Sequence, residues 1–374
     1  MSQKPKIYFE NLDGLRFMCF LSVFFYHSFH TEYDYIKSSA VYIFVKWHLF
    51  QNGNLGVNFF FVLSGFLITY LLIKERNLLG RIDVISFWKR RIFRIWPLFY
   101  FCVFFGFLIF PFLKEMFGQA SSETASLIYY LTFLNNFDFI RNGLPDASIL
   151  GVLWSVAIEE QFYLVWPVLL FLLPYGFYPV LFISVILFSI FFRFQYQEPV
   201  LHEFHTVSCM GDLAIGAFGA WLVQRRIFVE RIRSLSTGTI YAGYFVLFLI
   251  LFFRGILFQW MGAFERTIIA IVFLFVILEQ NYSVNSFYKM QRFKTLSKLG
   301  AMTYGLYCLH FIGILTITTL TSNLGWNTKL WQVIGLETTL ALSLSIVISK
   351  LSFQYYESPF LRMGKKRSHI LTRE

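Results

Sequence analysis

Ten apolar stretches of roughly twenty residues each divide this chain of 374 residues, and they settle its solvent before any motif is considered. They run approximately over 14–31, 55–73, 95–113, 150–173, 178–193, 206–224, 239–256, 264–280, 299–320 and 332–352. With 57% hydrophobic residues, 14% charged residues and 49 phenylalanines, the chain has more apolar surface than a soluble domain of this length can hide. Inside hydrocarbon every backbone polar group needs an internal partner, so the stretches predict an all-α, polytopic membrane protein with about ten transmembrane helices. Segment 126–140 is apolar but short, and is expected to be an interfacial or re-entrant helix. Residues 1–13 are polar and no small-residue cleavage motif follows, so the first stretch is expected to stay in the mature protein.

The basic residues sort by side. If the N-terminus faces the cytoplasm, 22 of the 32 Lys and Arg fall in cytoplasmic segments: Lys4 and Lys6, then those of 74–94, 225–233, 289–298 and 362–373. The opposite side holds Lys37, Lys46, Lys114, Arg141, Arg254 and Lys329. This bias predicts N-in and C-in topology and explains the net charge of +11 without nucleic acid. Counting 126–140 as an eleventh span would put two basic clusters outside. The four cysteines lie within apolar runs with no CxxC spacing, which reads as core packing rather than disulfides or zinc. No linker or low-complexity tract interrupts the chain, so residues 1–374 are expected to form a single membrane domain without a separate soluble domain.

Ionisable groups inside such stretches are costly and usually functional. In LDGLRFMCFLSVFFYH (Leu12–His27), helical geometry returns His27 to within about 20° of Arg16 and roughly 16 Å further along the axis. Asp13 shares that face and can neutralise Arg16. In FWKRRIFRIWP (Phe87–Pro97), Arg91 and Arg94 are i, i+3 neighbours. They can serve as a positive-inside anchor or as two guanidinium forks gripping phosphate at the cytoplasmic mouth. In WSVAIEEQFYLVWP (Trp154–Pro167), Ser155, Glu159 and Tyr163 form one polar face while Glu160 points about 100° away. Buried carboxylates there can tie helices together, orient a histidine or bind an acceptor hydroxyl.

A second buried histidine, His310, closes MTYGLYCLH, with Thr303 and Tyr307 on its face; it can be a packing residue or a second base. Gly53, Gly56, Ser64 and Gly65 read as points of close helix approach, and Asp212 as a helix-pairing group. In YYESPF (Tyr355–Phe360), Glu357 precedes Pro359, which is expected to stop the last helix.

Six of these motifs, in this order over residues 12–360, resemble the acyltransferase 3 family of bacterial integral membrane O-acyltransferases: LDGLR with His27, GVNFFFVLSG, RIFRIWP, LWSVAIEEQFY, YGLYCLH and YESPF. The resemblance implies a ten-helix protein of the bacterial cytoplasmic (inner) membrane. Such a protein takes an acyl group, commonly acetyl from acetyl-CoA, to a hydroxyl of a cell-surface or lipid-linked glycan. It also implies catalytic roles for His27, Arg16, Glu159 and Glu160. Donor binding would fall to Arg91, Arg94 and Arg16, and acceptor-side or supporting roles to Asp13, Ser155, Tyr163 and His310. His27 would act either as general base on the acceptor hydroxyl or as an acyl-carrying nucleophile. Partners would be acyl-CoA, the glycan acceptor, the lipid bilayer and envelope-biosynthesis proteins, with no metal. The competing class is a transporter or flippase for lipid-linked sugars or small anions, since the same buried groups build proton-coupled pathways.

Overall fold

The computed structural model describes residues 6–116, 118, 120, 122–365 and 371–372. Of the basic residues counted above, Lys4, Lys366, Arg367 and Arg373 lie outside the described residues. The apolar stretches fall on helices α1 (Glu10–Tyr26), α2 (Leu55–Leu79), α3 (Val84–Phe104), α4 (Leu153–Leu172), α5 (Tyr178–Gln195), α6 (Thr206–Leu222), α7 (Thr237–Leu257), α8 (Gly262–Tyr282), α9 (Thr303–Asn323) and α10 (Thr338–Leu351). Segment 126–140 forms two short helices, Leu127–Leu131 and Asn135–Asn142, neither of which can cross a bilayer.

Among the described residues, seven helical stretches are long and apolar enough to cross a membrane. An eighth is reached if α6 is joined to Arg226–Arg233 across its 100° bend. Helices α1 and α8 are not among them, so the expected count of about ten is not reached on length and composition. Helix α1 has only 17 residues, and α8 carries Glu265, Arg266 and Glu279. Both pack against protein: α1 against α2, α9 and the short helix Lys294–Gly300, and α8 against α2, α5 and α6. A helix walled by other helices needs no uniformly apolar surface. Parallel pairing of Lys6–Ile7 with Leu371–Thr372 brings the two ends of the described chain together.

Backbone contacts at glycine lock the elements around the future site. A Cβ at Gly65 would lie 1.9 Å from the Leu213 carbonyl oxygen, and one at Gly216 1.9 Å from that of Val62, so α2 and α6 touch backbone to backbone. Gly53 and Gly56 meet the carbonyls of Ser22 and Cys19 on α1 in the same way, and Gly300 meets that of Asp13. Helix α1 is thereby clamped at both ends. Asp212 ties three helices: its Oδ2 accepts from Arg266 Nε (2.8 Å) on α8 and from Asn58 Nδ2 (3.2 Å) on α2.

The expected helix stop at Pro359 is overturned. The helix runs on from Gln332 to Gly364, passing through a π-helical turn, Ser352–Glu357, into Ser358–Lys365. The wider turn shifts the hydrogen-bond register where the proline ring and its missing N–H would otherwise break the ladder.

Candidate active site

A cavity of about 690 Å³ opens between α1, α2, α3, α4, α9 and the short helix Lys294–Gly300. Its mouth lies on the face carrying the basic clusters. Arg91 and Arg94 come from the first half of α3, Arg16 from α1, and Lys294 and Lys298 from the short helix. The one-turn spacing of Arg91 and Arg94 turns both toward the cavity, and the Arg91 guanidinium lies over the rings of Phe87 (5.7 Å) and Tyr163 (5.6 Å). Arg16 Nη1 is 2.7 Å from Asp13 Oδ1, and the Tyr8 hydroxyl donates to Asp13 Oδ2 at 2.9 Å. Asp13 therefore orients Arg16.

Midway along the cavity, α4 presents the predicted polar face. Ser155, Glu159 and Tyr163 all line the wall. The Ser64 hydroxyl donates to Glu159 Oε1 at 2.6 Å, and the Tyr163 hydroxyl donates to Oε2 at 3.1 Å. Both carboxylate oxygens are thus occupied, and neither reaches a histidine. Glu160 follows the 100° step away from the cavity; its Oε2 accepts from Trp96 Nε1 at 2.8 Å, while its buried Oε1 has no hydrogen-bond partner among the described residues.

The cavity ends at Val57, Phe60, Phe61, Ser155 and Tyr307. There the Ser155 and Tyr307 hydroxyls lie 2.8 Å apart, both within reach of the Val152 carbonyl. Neither His27 nor His310 lines the cavity; they form a pair beyond Tyr307. Helix α1 stops at Tyr26, so His27 caps the helix instead of sitting inside a longer one. Its ring stacks on that of His310, with centroids 5.2 Å apart and planes at 14°. Nδ1 of His27 is 3.0 Å from Nε2 of His310. His310 is fully buried, and its Nδ1 lies 2.7 Å from the Tyr307 carbonyl oxygen.

These two contacts set the proton positions. A carbonyl only accepts, so His310 Nδ1 carries the hydrogen. In the neutral ring Nε2 is then bare and accepts from His27 Nδ1–H, which leaves the lone pair of His27 on Nε2. Tyr307 joins the two halves of the site: its side chain closes the cavity and its carbonyl holds His310. Asn54, just before α2, donates from Nδ2 to Glu203 Oε1 at 3.1 Å.

The structure thus gathers Asp13, Arg16, Arg91, Arg94, Ser155, Glu159 and Tyr163 in one chamber, pairs His27 with His310 next to it, and leaves Glu160 outside. Sequence reasoning passed over Ser64, Tyr307, Lys294 and Lys298 as site residues. Ser64 reads as one more small packing residue and the lysines as membrane anchors. Tyr307 stands out in the sequence only as sharing a helix face with Thr303 and His310.

The family described as an acyltransferase domain matches residues 9–350. The chain is similar to O-acetyltransferase OatA of Staphylococcus aureus (strain NCTC 8325 / PS 47), 28% identical over 386 residues covering 98% of this chain and 59% of that protein. It is also similar to peptidoglycan O-acetyltransferase OatA of Listeria monocytogenes serovar 1/2a, 29% identical with 96% and 56% covered. The putative peptidoglycan O-acetyltransferase YrhL of Bacillus subtilis (strain 168) is 26% identical, with 96% and 55% covered. The chain therefore spans a little under three fifths of the length of these curated relatives. No solved structure matches it.

Proposed function

This chain belongs to the acyltransferase 3 family, and from that premise we propose that it is a multi-pass bacterial membrane O-acetyltransferase. Its donor is a CoA thioester, most simply acetyl-CoA, entering from the basic face, and its acceptor is a hydroxyl of a cell-wall glycan on the opposite face. The names of the relatives support acetyl as the group and, for two of them, peptidoglycan as the acceptor.

One observation carries the reading: a cavity with cations at its mouth ends on the residue that anchors the histidine pair. At about 690 Å³ the cavity falls within the range of roughly 300–1,000 Å³ typical of small-molecule sites. Arg91, Arg94 and Arg16 suit the phosphates of a nucleotide, and the aromatic walls of Phe60, Phe61 and Tyr307 suit the narrow arm that carries a thioester. His27 Nε2 takes the proton of the acceptor hydroxyl as that oxygen bonds to the thioester carbonyl carbon. The C–S bond breaks, and the imidazolium returns its proton to the departing thiolate, leaving an ester and a thiol. His310 holds His27 in the tautomer that exposes this lone pair. Glu159, held by Ser64 and Tyr163, places a negative charge near the arginines and helps to fix them.

The test uses the full chain in nanodiscs with radiolabelled acetyl-CoA and a peptidoglycan fragment as acceptor. Label in the glycan that disappears in His27→Ala, at equal protein abundance, supports the reading. Undiminished transfer by the variant removes His27 from the chemistry. Movement of the glycan without acylation favours a transporter instead.

A further inference from the structure

The mouth of the cavity has two basic walls. Arg91 and Arg94 stand on α3; Lys294 and Lys298 stand on the short helix Lys294–Gly300, a separate element with Ser297 on the same face and Gln291 just before it. The i, i+4 spacing puts the two lysines one above the other. Among the described residues neither ammonium takes part in an ion pair, and both side chains are exposed at the rim.

This wall is held firmly. Gly300 rests on the Asp13 carbonyl, with room for no Cβ. Asn11 stitches the preceding segment to α1, its Oδ1 accepting from Gln291 N–H at 3.0 Å and its Nδ2 donating to the Gln280 carbonyl at 2.8 Å. Since Asp13 also orients Arg16, the helix that carries the lysines and Arg16 share one fixed frame.

We propose that Lys294 and Lys298 form a second phosphate-binding arm, opposite Arg91 and Arg94, that takes the phosphomonoester on the ribose of the donor nucleotide. The inference rests on a CoA thioester being the donor. Such a donor carries two phosphate groupings, a diphosphate in the chain and a phosphomonoester on the sugar. Planar guanidinium forks one turn apart suit the diphosphate, and mobile ammonium point charges at the solvent edge suit the more exposed dianion.

The experiment compares CoA with 3′-dephospho-CoA, binding each to the full chain in nanodiscs of neutral lipid. The parent should prefer CoA by about tenfold or more. Lys294→Ala/Lys298→Ala should bind CoA no better than dephospho-CoA while binding dephospho-CoA as the parent does, and Lys294→Arg/Lys298→Arg should keep most of the preference. Arg91→Ala should weaken both ligands. A double-alanine variant that keeps the parent's preference, with an unchanged unfolding temperature, overturns the arm. A parent that binds both equally does the same while leaving the donor reading intact; a parent that binds neither sinks the donor reading as well. Repeating the series with phosphatidylglycerol separates the other phosphate source. If the lysines serve lipid headgroups, the variant changes only the lipid dependence and the CoA preference stays, which also overturns the arm.

Discussion

Nδ1 of His27 and Nε2 of His310 lie 3.0 Å apart, and the Tyr307 carbonyl pins the far nitrogen of the second ring at 2.7 Å. The chain of contacts makes His310 a positioning residue whose loss affects the reactive nitrogen through its tautomer. His27→Ala should lower kcat by about 10²–10⁴-fold. His310→Ala should lower it by about 10–100-fold, the usual effect of losing a group that orients a reactive histidine, with KM for the donor unchanged. His310→Gln, whose amide oxygen can accept from His27 Nδ1–H, should recover part of the rate. Steady-state kinetics on the three variants decide the matter, and a rise in donor KM matching the fall in kcat in His310→Ala would point to disordered packing instead.

Arg91 and Arg94 act at the other end of the cavity. Removing either guanidinium should raise donor KM by about tenfold or more and leave the acceptor KM in place. Arg91→Lys should restore little, because a lysine neither forks nor stacks over Tyr163 as the guanidinium does. Equal donor binding by Arg91→Ala and the parent would remove the arginines from the donor site.

Packing of α2 on α6 gives a prediction about stability. At Gly65 an added methyl meets backbone, which cannot rotate away, at 1.9 Å from the Leu213 carbonyl. Gly65→Ala should therefore cost roughly 1–3 kcal/mol or more. Gly255, which faces open space, is the control, and Gly255→Ala should be neutral or slightly stabilising. Thermal unfolding in detergent measures both, and equal midpoints for the two variants would contradict the close contact.

The sequence revealed this architecture unevenly, for physical reasons. Helix positions were readable because hydrocarbon forces apolar runs of about twenty residues, and the faces of Ser155, Glu159 and Tyr163 follow from helical period alone. Glycines 53, 56 and 65 signal close approach but not their partners, since the nearest partner atom is backbone and leaves no side-chain trace. The pairing of His27 with His310 joins residues 283 positions apart, and nothing local encodes it. The end of α1 at Tyr26 was hidden because no proline or glycine directly follows it in the sequence and Phe29 adds one more apolar residue, while the chain in fact turns there with Phe29 at a φ of 65°. Tyr42 and Lys46 hold that turn by donating to the Phe29 carbonyl. Lys294 and Lys298 look identical to membrane anchors in sequence; only the fold shows that they overlook a cavity.

The last prediction concerns the loop that leads into α4, where pH can be used directly. Burial works to raise the Asp146 carboxyl, but hydrogen bonds from Lys114 and from the Ser122 N–H outweigh it and hold the group below its ordinary value of 3.8. Lys114 Nζ lies 2.8 Å from both carboxylate oxygens. Beside it the Glu123 carboxylate accepts from the N–H groups of Ala125, Asp146 and Ala147, so residues 122–147 form a knot ahead of the helix that carries Ser155. A depressed native value means that this contribution is full above the unfolded pKa and is lost as pH falls through the lower native one. Hydrogen exchange in segment 122–147 should therefore stay slow at about pH 6 and rise at about pH 3 relative to the exchange expected from pH alone. Asp146→Asn should exchange faster at the higher pH and lose most of that pH step. Protection in Asp146→Asn equal to that of the parent at both values would show that the Lys114–Asp146 pair does not hold the loop.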